Sequence, residues 1–249
     1  MNFDLKGRIC LVTGGTGQLG RAIVRTLSAC EADVAIHYNA NRKKAIDLRD
    51  EILAASRKAV VVQADVTEAA SIAAMKEEVG RLLGPPAVIV DNAVIQYQWK
   101  HVLQQSVEDY ESQFRSCVLQ NVLMAQAFVP AMIESRWGRV IAVNTECAMQ
   151  CFAGQSAYVS GKRGMDGVLR VLAKEIGEHG ITVNQVAPGW MMSDDSTDPA
   201  PAYSERVPLR HRGAAEDVAN AVAFLASDLA SFITGAYIPV CGGNVMPTI

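Results

Sequence analysis

The chain has 249 residues, 50% of them hydrophobic and 20% charged, with a formal net charge of −3. That balance fits one globular α/β domain with a full core, and it excludes a disordered chain or one built for nucleic acid or an anionic membrane. The six cysteines (10, 30, 117, 147, 151 and 241) lie scattered in apolar segments without zinc-site spacing, so they read as buried reduced thiols and no metal is expected.

The stretch from Asp4 to Arg8 leads directly into a strand, leaving no room for a secretion signal. No continuous apolar run approaches the roughly 20 residues of a membrane span, so a cytoplasmic protein is expected. Ile9–Val12 reads as a buried strand, followed by a glycine turn and an amphipathic helix to about Cys30. Val34–Ile36 is the second strand, 41–56 a helix and Ala59–Val62 the third strand. Thr67 reads as the cap of a helix from Glu68 to about Leu83, and Ala87–Val90 is the fourth strand. A long helix covers roughly 107–134, ahead of a strand at Val140–Val143. A helix from Ser156 to Glu178 leads to a strand at Ile181–Val186. The last pair is a helix over Ala215–Ala226 and a strand at Tyr237–Val240. Continuous apolar strands alternating with helices predict an α/β fold: one doubly wound parallel sheet of Rossmann type, helices on both faces, over residues 1–249. Ser193–Pro208, rich in Pro, Ser and Asp, is a candidate lid.

Thr13-Gly14-Gly15-Thr16-Gly17-Gln18-Leu19-Gly20 lies between the first strand and the first helix. In that context the glycines permit a tight turn and close approach of a pyrophosphate, whose charge is met by the helix N-terminus. Tyr158 and Lys162 stand four residues apart on a predicted helix, so their side chains share a face. The cation is expected to pull the phenol below its ordinary value of about 10 and make it a general acid or base. Alone, such a pair reads as a snorkelling surface pair.

Together with Asp65-Val66, Asp91-Asn92-Ala93-Val94, Asn184, Pro188-Gly189, Thr234-Gly235 and Gly242-Gly243, these features stand in the order and spacing of the short-chain dehydrogenase/reductase family. The chain resembles the single-domain branch of that family over its whole length. The resemblance implies a nicotinamide cofactor and hydride exchange with a carbonyl or secondary alcohol. It implies Tyr158 as proton donor, Lys162 on the nicotinamide ribose, and Thr145 as substrate-positioning hydroxyl where the family has serine. It places Gly14, Gly17, Gln18, Leu19 and Gly20 at the pyrophosphate, Asp65 and Val66 at the adenine, and Asn92 and Ala93 at the adenosine ribose. Pro188 and Gly189 would run along the nicotinamide, with Ser193 on its carboxamide.

The chain departs from that pattern in places. Its glycines fall at 14, 17 and 20, the spacing of the family's extended branch; Val94 replaces a glycine and Cys241 an acid. Cys117 falls where the family has the asparagine of a water relay, and a thiol is a poor hydrogen-bond former. Asn121, one turn along, either substitutes for it or is a buried amide satisfied by backbone. At the end of the second strand NAD users carry an acid. Here Tyr38 takes that position, followed by Asn39 and by Arg42 at the head of three cations, which favours NADP(H) over NAD(H); the same run also reads as a solvated helix start.

The segment from Pro208 to Ala219 is most similar to 3-oxoacyl-thioester reductases of the family. Gln96, Tyr97, Glu146, Met149, Phe152, Met191 and Met192 are expected to face a mostly apolar substrate pocket. The apolar surplus on helices 107–134 and 156–178 (Val118, Leu119, Val122, Leu123, Ala125, Val168, Leu169 and Leu172), with the resemblance, implies a homodimer or homotetramer. The rival expectation is a nucleotide-binding or regulatory protein that has lost turnover, suggested by Cys117, Thr145 and Val94.

Overall fold

The computed structural model describes residues 3–193 and 200–246. In chain order the elements are β1 (Ile9–Val12), α1 (Gln18–Ala29), β2 (Asp33–Tyr38), α2 (Arg42–Ala54), β3 (Ala59–Gln63), α3 (Ala69–Leu82), β4 (Val88–Asp91), α4 (Val107–Gln113) and α5 (Gln120–Ser135). They continue with β5 (Gly138–Val143), α6 (Cys147–Gln150), α7 (Ser156–Ile176), β6 (Ile181–Pro188), α8 (Pro201–Ser204), α9 (Ala215–Ala226) and β7 (Tyr237–Val240). The strands form one sheet in the order β3-β2-β1-β4-β5-β6-β7, every pairing parallel. The strand order reverses between β1 and β4, which opens a crevice at their carboxyl ends.

Alternation along the strands feeds two cores. Val12, Ile36 and Val90 pack with Ile23, Leu27 and Val222 of α1 and α9. Leu11, Ile89 and Ala142 pack with Met75, Phe128, Met165 and Leu169 of α3, α5 and α7. Both faces are therefore covered, and the central strands are buried at nearly every position rather than at alternate ones, with His37, Asp91, Arg139, Asn184 and Gln185 as buried polar exceptions.

Four expectations need correction. Thr67 does not cap α3: the N-cap is Glu68, without a side-chain bond, because the Thr67 hydroxyl and N–H both go to Asp65 Oδ1, at 2.7 and 2.9 Å. The long helix is not continuous, since a π turn at Phe114–Leu119 separates α4 from α5 and carries Cys117. Ser116 Oγ donates to Ser112 O at 2.8 Å and Asn121 Nδ2 to Cys117 O at 2.6 Å, so side chains take carbonyls along the turn. Val107–Ser135 is long and apolar enough to cross a membrane by length and composition, with mean hydropathy 1.5. Its Met124, Phe128 and Met132 are nevertheless fully buried on the sheet, as in a core helix. Finally, the thiols are not uniformly buried: Cys151 is exposed at a left-handed position after α6, where Arg163 Nη2 donates to its Sγ at 3.3 Å.

Candidate active site

The glycine turn is shaped first by its own packing. Gly14 has φ +62, and a Cβ there would lie 3.0 Å from the Ala93 Cα; a Cβ at Gly20 would lie 2.1 Å from the Gly14 oxygen. Gly17 is different: a Cβ would meet only the Gly14 oxygen, at an ordinary 3.4 Å. As N-cap of α1 it offers no side chain, so the first N–H groups of that helix are left to whatever occupies the crevice. Two residues fasten the turn. His37, on β2, accepts the Gly14 N–H through Nδ1 at 2.9 Å and gives its Nε2 proton to Ala64 O at 2.9 Å. It is 1% exposed, and burial lowers its pKa, so the ring is neutral with the proton on Nε2. Asn92 donates through Nδ2 to Thr13 O (2.9 Å) and Gly14 O (3.2 Å), while its N–H goes to Thr13 Oγ1 at 2.9 Å.

A cleft of about 850 Å³ runs from this turn across the strand ends. It is lined by Gly14, Gly17, Gln18, Leu19, Gly20, Asn39, Asp65, Val66, Asn92, Ala93, Thr145, Tyr158, Lys162, Pro188, Gly189 and Ser193. Three sequence-predicted positions are not among its walls. Tyr38 is 6% exposed and packs in the core beside Ile36, because β2 extends to it and its side chain falls on the α1 face. Arg42 is exposed on the first turn of α2, beyond the lining residues Ala40 and Asn41. Cys117 is buried, its Sγ 3.9 Å from Gln113 Oε1. His37 and Arg212, which the sequence did not single out, do line the cleft.

At the far end stand Tyr158, Thr145 and Lys162. The first turns of α7 put tyrosine and lysine on one face, and Gly161 lets that helix dock, since a Cβ there would lie 2.9 Å from Gln113 O and 3.3 Å from the Cys117 Cβ. Lys162 is 4% exposed; its Nζ donates to Val143 O at 2.6 Å and lies 5.8 Å from the centre of the Tyr158 ring. Burial lowers its pKa, against the influence of Cys117 and Asp91. The Tyr158 phenol is pushed up from its ordinary value, chiefly by burial, with Cys147 and Cys117 adding and a hydrogen bond with Thr145 opposing. The expected lowering by Lys162 is thus overturned: the ammonium is held by the strand and the phenol keeps its proton at neutral pH. Thr145 accepts the Cys147 N–H at 3.2 Å, and its carbonyl accepts the Tyr237 hydroxyl at 2.5 Å. Behind Lys162 lies Asp91, 2% exposed, with neither carboxyl oxygen hydrogen-bonded. Its pKa is pushed up to about 8 by burial, partly offset by Lys162.

Beyond Tyr158 opens a second pocket of about 500 Å³. Gln96, Tyr97, Glu146 and Phe152 line it as expected; Met149, Met191 and Met192 do not, while Trp99, Trp190 and Tyr203 do. Glu146 is buried and accepts from the Tyr203 hydroxyl (3.0 Å) and from Asn244 Nδ2 (3.0 Å), which ties α8 to the residue after Thr145. Gly189 makes room for this contact, since a Cβ there would lie 2.4 Å from the Tyr203 hydroxyl. Of the predicted lid, 194–199 lie outside the described residues.

The model of the family described as enoyl-(acyl carrier protein) reductase matches residues 16–244. The chain belongs to the short-chain dehydrogenase/reductase family. It is 33% identical to the 3-oxoacyl-(acyl-carrier-protein) reductase FabG of Pseudomonas aeruginosa, over 98% of this chain and 100% of the relative. Among solved structures it is similar to a blue fluorescent protein from a metagenomic library in complex with NADPH, at TM-score 0.90, 32% identity, and 98% and 100% coverage of the two chains. It is likewise similar to a mutant short-chain dehydrogenase/reductase of Serratia marcescens, at TM-score 0.90 and 26% identity, covering 96% of this chain and 98% of that one. As a short-chain dehydrogenase/reductase it carries threonine and cysteine where the resemblance leads one to expect serine and asparagine, and it keeps the tyrosine and lysine.

Proposed function

We propose that this protein is an NADP(H)-dependent carbonyl reductase, with residues 1–249 acting as one cofactor-binding and catalytic unit. The observation that carries the reading is the convergence of the Tyr158 phenol, the Thr145 hydroxyl and the buried Lys162 at the end of the cleft that begins at the glycine turn. The residues present fit a dinucleotide. The uncapped start of α1 at Gly17 suits its pyrophosphate, Asp65 and Val66 its adenine, and Asn92 and Ala93 the adenosine ribose. Lys162, Pro188, Gly189 and Ser193 suit the nicotinamide half. Bound there, the cofactor supplies the hydride.

This chain's own part is the proton. Tyr158 carries it on the phenol oxygen at neutral pH, as any phenol does, and its place at the junction of the cleft and the second pocket lets it give that proton to a carbonyl oxygen, although burial alone makes it a weaker acid. Thr145, which lines the cleft and the second pocket together with that phenol, orients that oxygen. NADP(H) over NAD(H) is supported by the absence of an acid among His37, Asn39, Ala40 and Asn41 at the ribose end, by Arg42 next along, and by the NADPH bound to the metagenomic relative. The relatives' names make a 3-oxoacyl thioester the first substrate to test. The reading includes a cytoplasmic homodimer or homotetramer. A second reading, a nucleotide-binding protein without turnover, is favoured by the departures at Thr145 and Val94 and above all by Cys117, whose Sγ has a weak partner at 3.9 Å. NADPH consumption with β-ketoacyl thioesters, diketones and quinones is the test. Tight NADPH binding with no consumption on the whole panel would favour the second reading.

A further inference from the structure

The pocket beyond Tyr158 has an unusual wall. Tyr97, Trp99, Phe152, Tyr158, Trp190 and Tyr203 make six of its fifteen lining residues, in a chain that is 6% aromatic. Three of these rings are left about half wet: Trp99 is 51% exposed, Phe152 47% and Trp190 53%. Large apolar rings gathered around one concavity and left half exposed mark a place where a ligand covers them.

Their arrangement is specific. Trp99 lies nearly parallel to the Tyr158 ring, 25° apart with centroids at 6.2 Å, so it continues the face of the proton donor outward. Trp190 meets Tyr203 edge-on, at 5.6 Å and 77°. The Tyr203 ring is fixed, because its hydroxyl donates to Glu146 and accepts the Trp190 backbone N–H at 2.9 Å. Arg212 lies 4.7 Å from the Trp190 ring centre, and Arg206 lies 5.6 Å from that of Phe152. Ring faces, two pairs of them at set angles, thus make up much of a wall that Ile95, Gln96, Gln150, Gln155 and Arg206 complete. A flat ligand gains offset-stacked and edge-to-face contacts there beyond its buried area. A flexible acyl chain gains only the area, and must give up rotamer freedom to do so.

We infer that this pocket selects a flat, ring-bearing carbonyl compound, an aryl or fused-ring ketone, over an extended acyl chain, with Trp99 and Phe152 as the specificity-determining residues. The inference rests on the carbonyl-reductase reading, and its experiment separates the two. NADPH-dependent kcat/KM is measured for acetylnaphthalene and for acetoacetyl-N-acetylcysteamine on the wild type, Trp99→Leu and Phe152→Leu. The non-reducible naphthol is titrated into the NADP-loaded enzyme by tryptophan fluorescence. The wild type should favour the aryl ketone by about tenfold or more, and each leucine variant should lower the ketone-to-thioester ratio by about tenfold. Naphthol should quench the wild type and quench Trp99→Leu less. A preference for the thioester, or an unchanged ratio in both variants, would overturn the ring selectivity and leave the reductase reading standing. Naphthol quenching with turnover of neither compound would keep the ring site and remove the reductase. Absence of both quenching and turnover would overturn the inference outright.

Discussion

Lys162 spends a hydrogen bond of its ammonium on the carbonyl oxygen of Val143, at 2.6 Å, on the last residue of β5. Asn144 strengthens the hold, since its Nδ2 donates both to Lys162 O at 3.2 Å and to Gln185 Oε1 at 2.7 Å. The lysine is thereby fixed to the sheet with its amine buried and its pKa lowered, and Tyr158 is a protonated phenol one turn away on α7.

Tyr158→Phe should then remove turnover by ~10²–10⁴-fold, the usual worth of general acid–base assistance, while NADPH affinity changes little because only a hydroxyl is lost. Lys162→Ala should damage both, since it removes a proposed ribose contact and a charge. Steady-state rates and calorimetric titration with NADPH check the pair. Full activity in Tyr158→Phe would remove the proton-donor role.

His37 should make the glycine turn acid-sensitive. Its folded pKa lies below the ordinary value of about 6.5, mainly through burial, with the Ala64 carbonyl and Asp65 opposing. For a lowered histidine pKa, stability is whole above pH ~6.5 and is lost as pH falls toward the folded value, because only the unfolded chain takes the proton easily. Protonation would also end the bond from Gly14 N–H to Nδ1. NADPH affinity and melting temperature should fall together below pH ~6.5. His37→Phe should cost ~1–3 kcal/mol by leaving the Gly14 N–H unpaired, and should flatten that acid limb. A variant with the wild-type profile in chemical and thermal melts would argue against the role.

Much of this was legible in the chain. The strands are continuous apolar runs, and the glycine turn and the Tyr158/Lys162 spacing are local patterns that a doubly wound sheet brings together. What stayed hidden depends on contacts between distant segments. The π turn at Cys117 forms where Gly161 of α7 presses on it, and no periodicity in 107–134 announces that. Tyr38 was misplaced because β2 runs two residues past Ile36, and alternation then puts Tyr38 on the core face it shares with Val34 and Ile36. His37 looks like any strand residue until Gly14 and Ala64 are beside it. Trp99, Trp190 and Tyr203 come from three separate segments, and Asp91 reads as part of a strand-end motif rather than as a buried unpaired acid.

Arg42 should set cofactor preference although it lies outside the cleft wall. It is exposed on the first turn of α2, directly after Asn41 at the ribose end of the cleft. Arg42→Ala should weaken NADPH binding and leave NADH binding unchanged in calorimetric titrations. Tighter binding of NADH than NADPH by the wild type, by about tenfold or 1.4 kcal/mol, would overturn the NADP assignment.

Assembly is expected through α4, α5 and α7. Val118 and Leu169 belong to the protein's own core, so the apolar surplus is smaller than the sequence suggested. Even so, Val107 is 67% exposed, Phe114 51% and Val171 56%, with Leu119, Val122, Val168 and Leu172 partly exposed. Light scattering at micromolar concentration should give a dimer or tetramer, and Phe114→Glu should shift it toward monomer. A wild-type monomer would refute the interface.

Asp91 carries the sharpest pH prediction. Its oxygens have no partner, and alternation from Ile89 puts the side chain on the face of α5 and α7, toward Lys162. The carboxyl is pushed up to about 8 in the folded protein, against an ordinary unfolded value of ~3.9. Between those values the folded chain holds a proton that the unfolded chain has shed, so stability falls as pH rises through the window and levels off above it. Asp91→Asn keeps the shape and removes the titration. Melting temperatures of the two proteins should therefore diverge in favour of the asparagine variant from about pH 5 upward, and stop diverging above about pH 8. The Lys162 shift acts in the opposite sense at higher pH, and Asp91→Asn deepens it by removing a charge that opposes it. Parallel curves across the whole range would mean that the carboxyl finds a partner in solution, and the buried-acid account of this position would then fail.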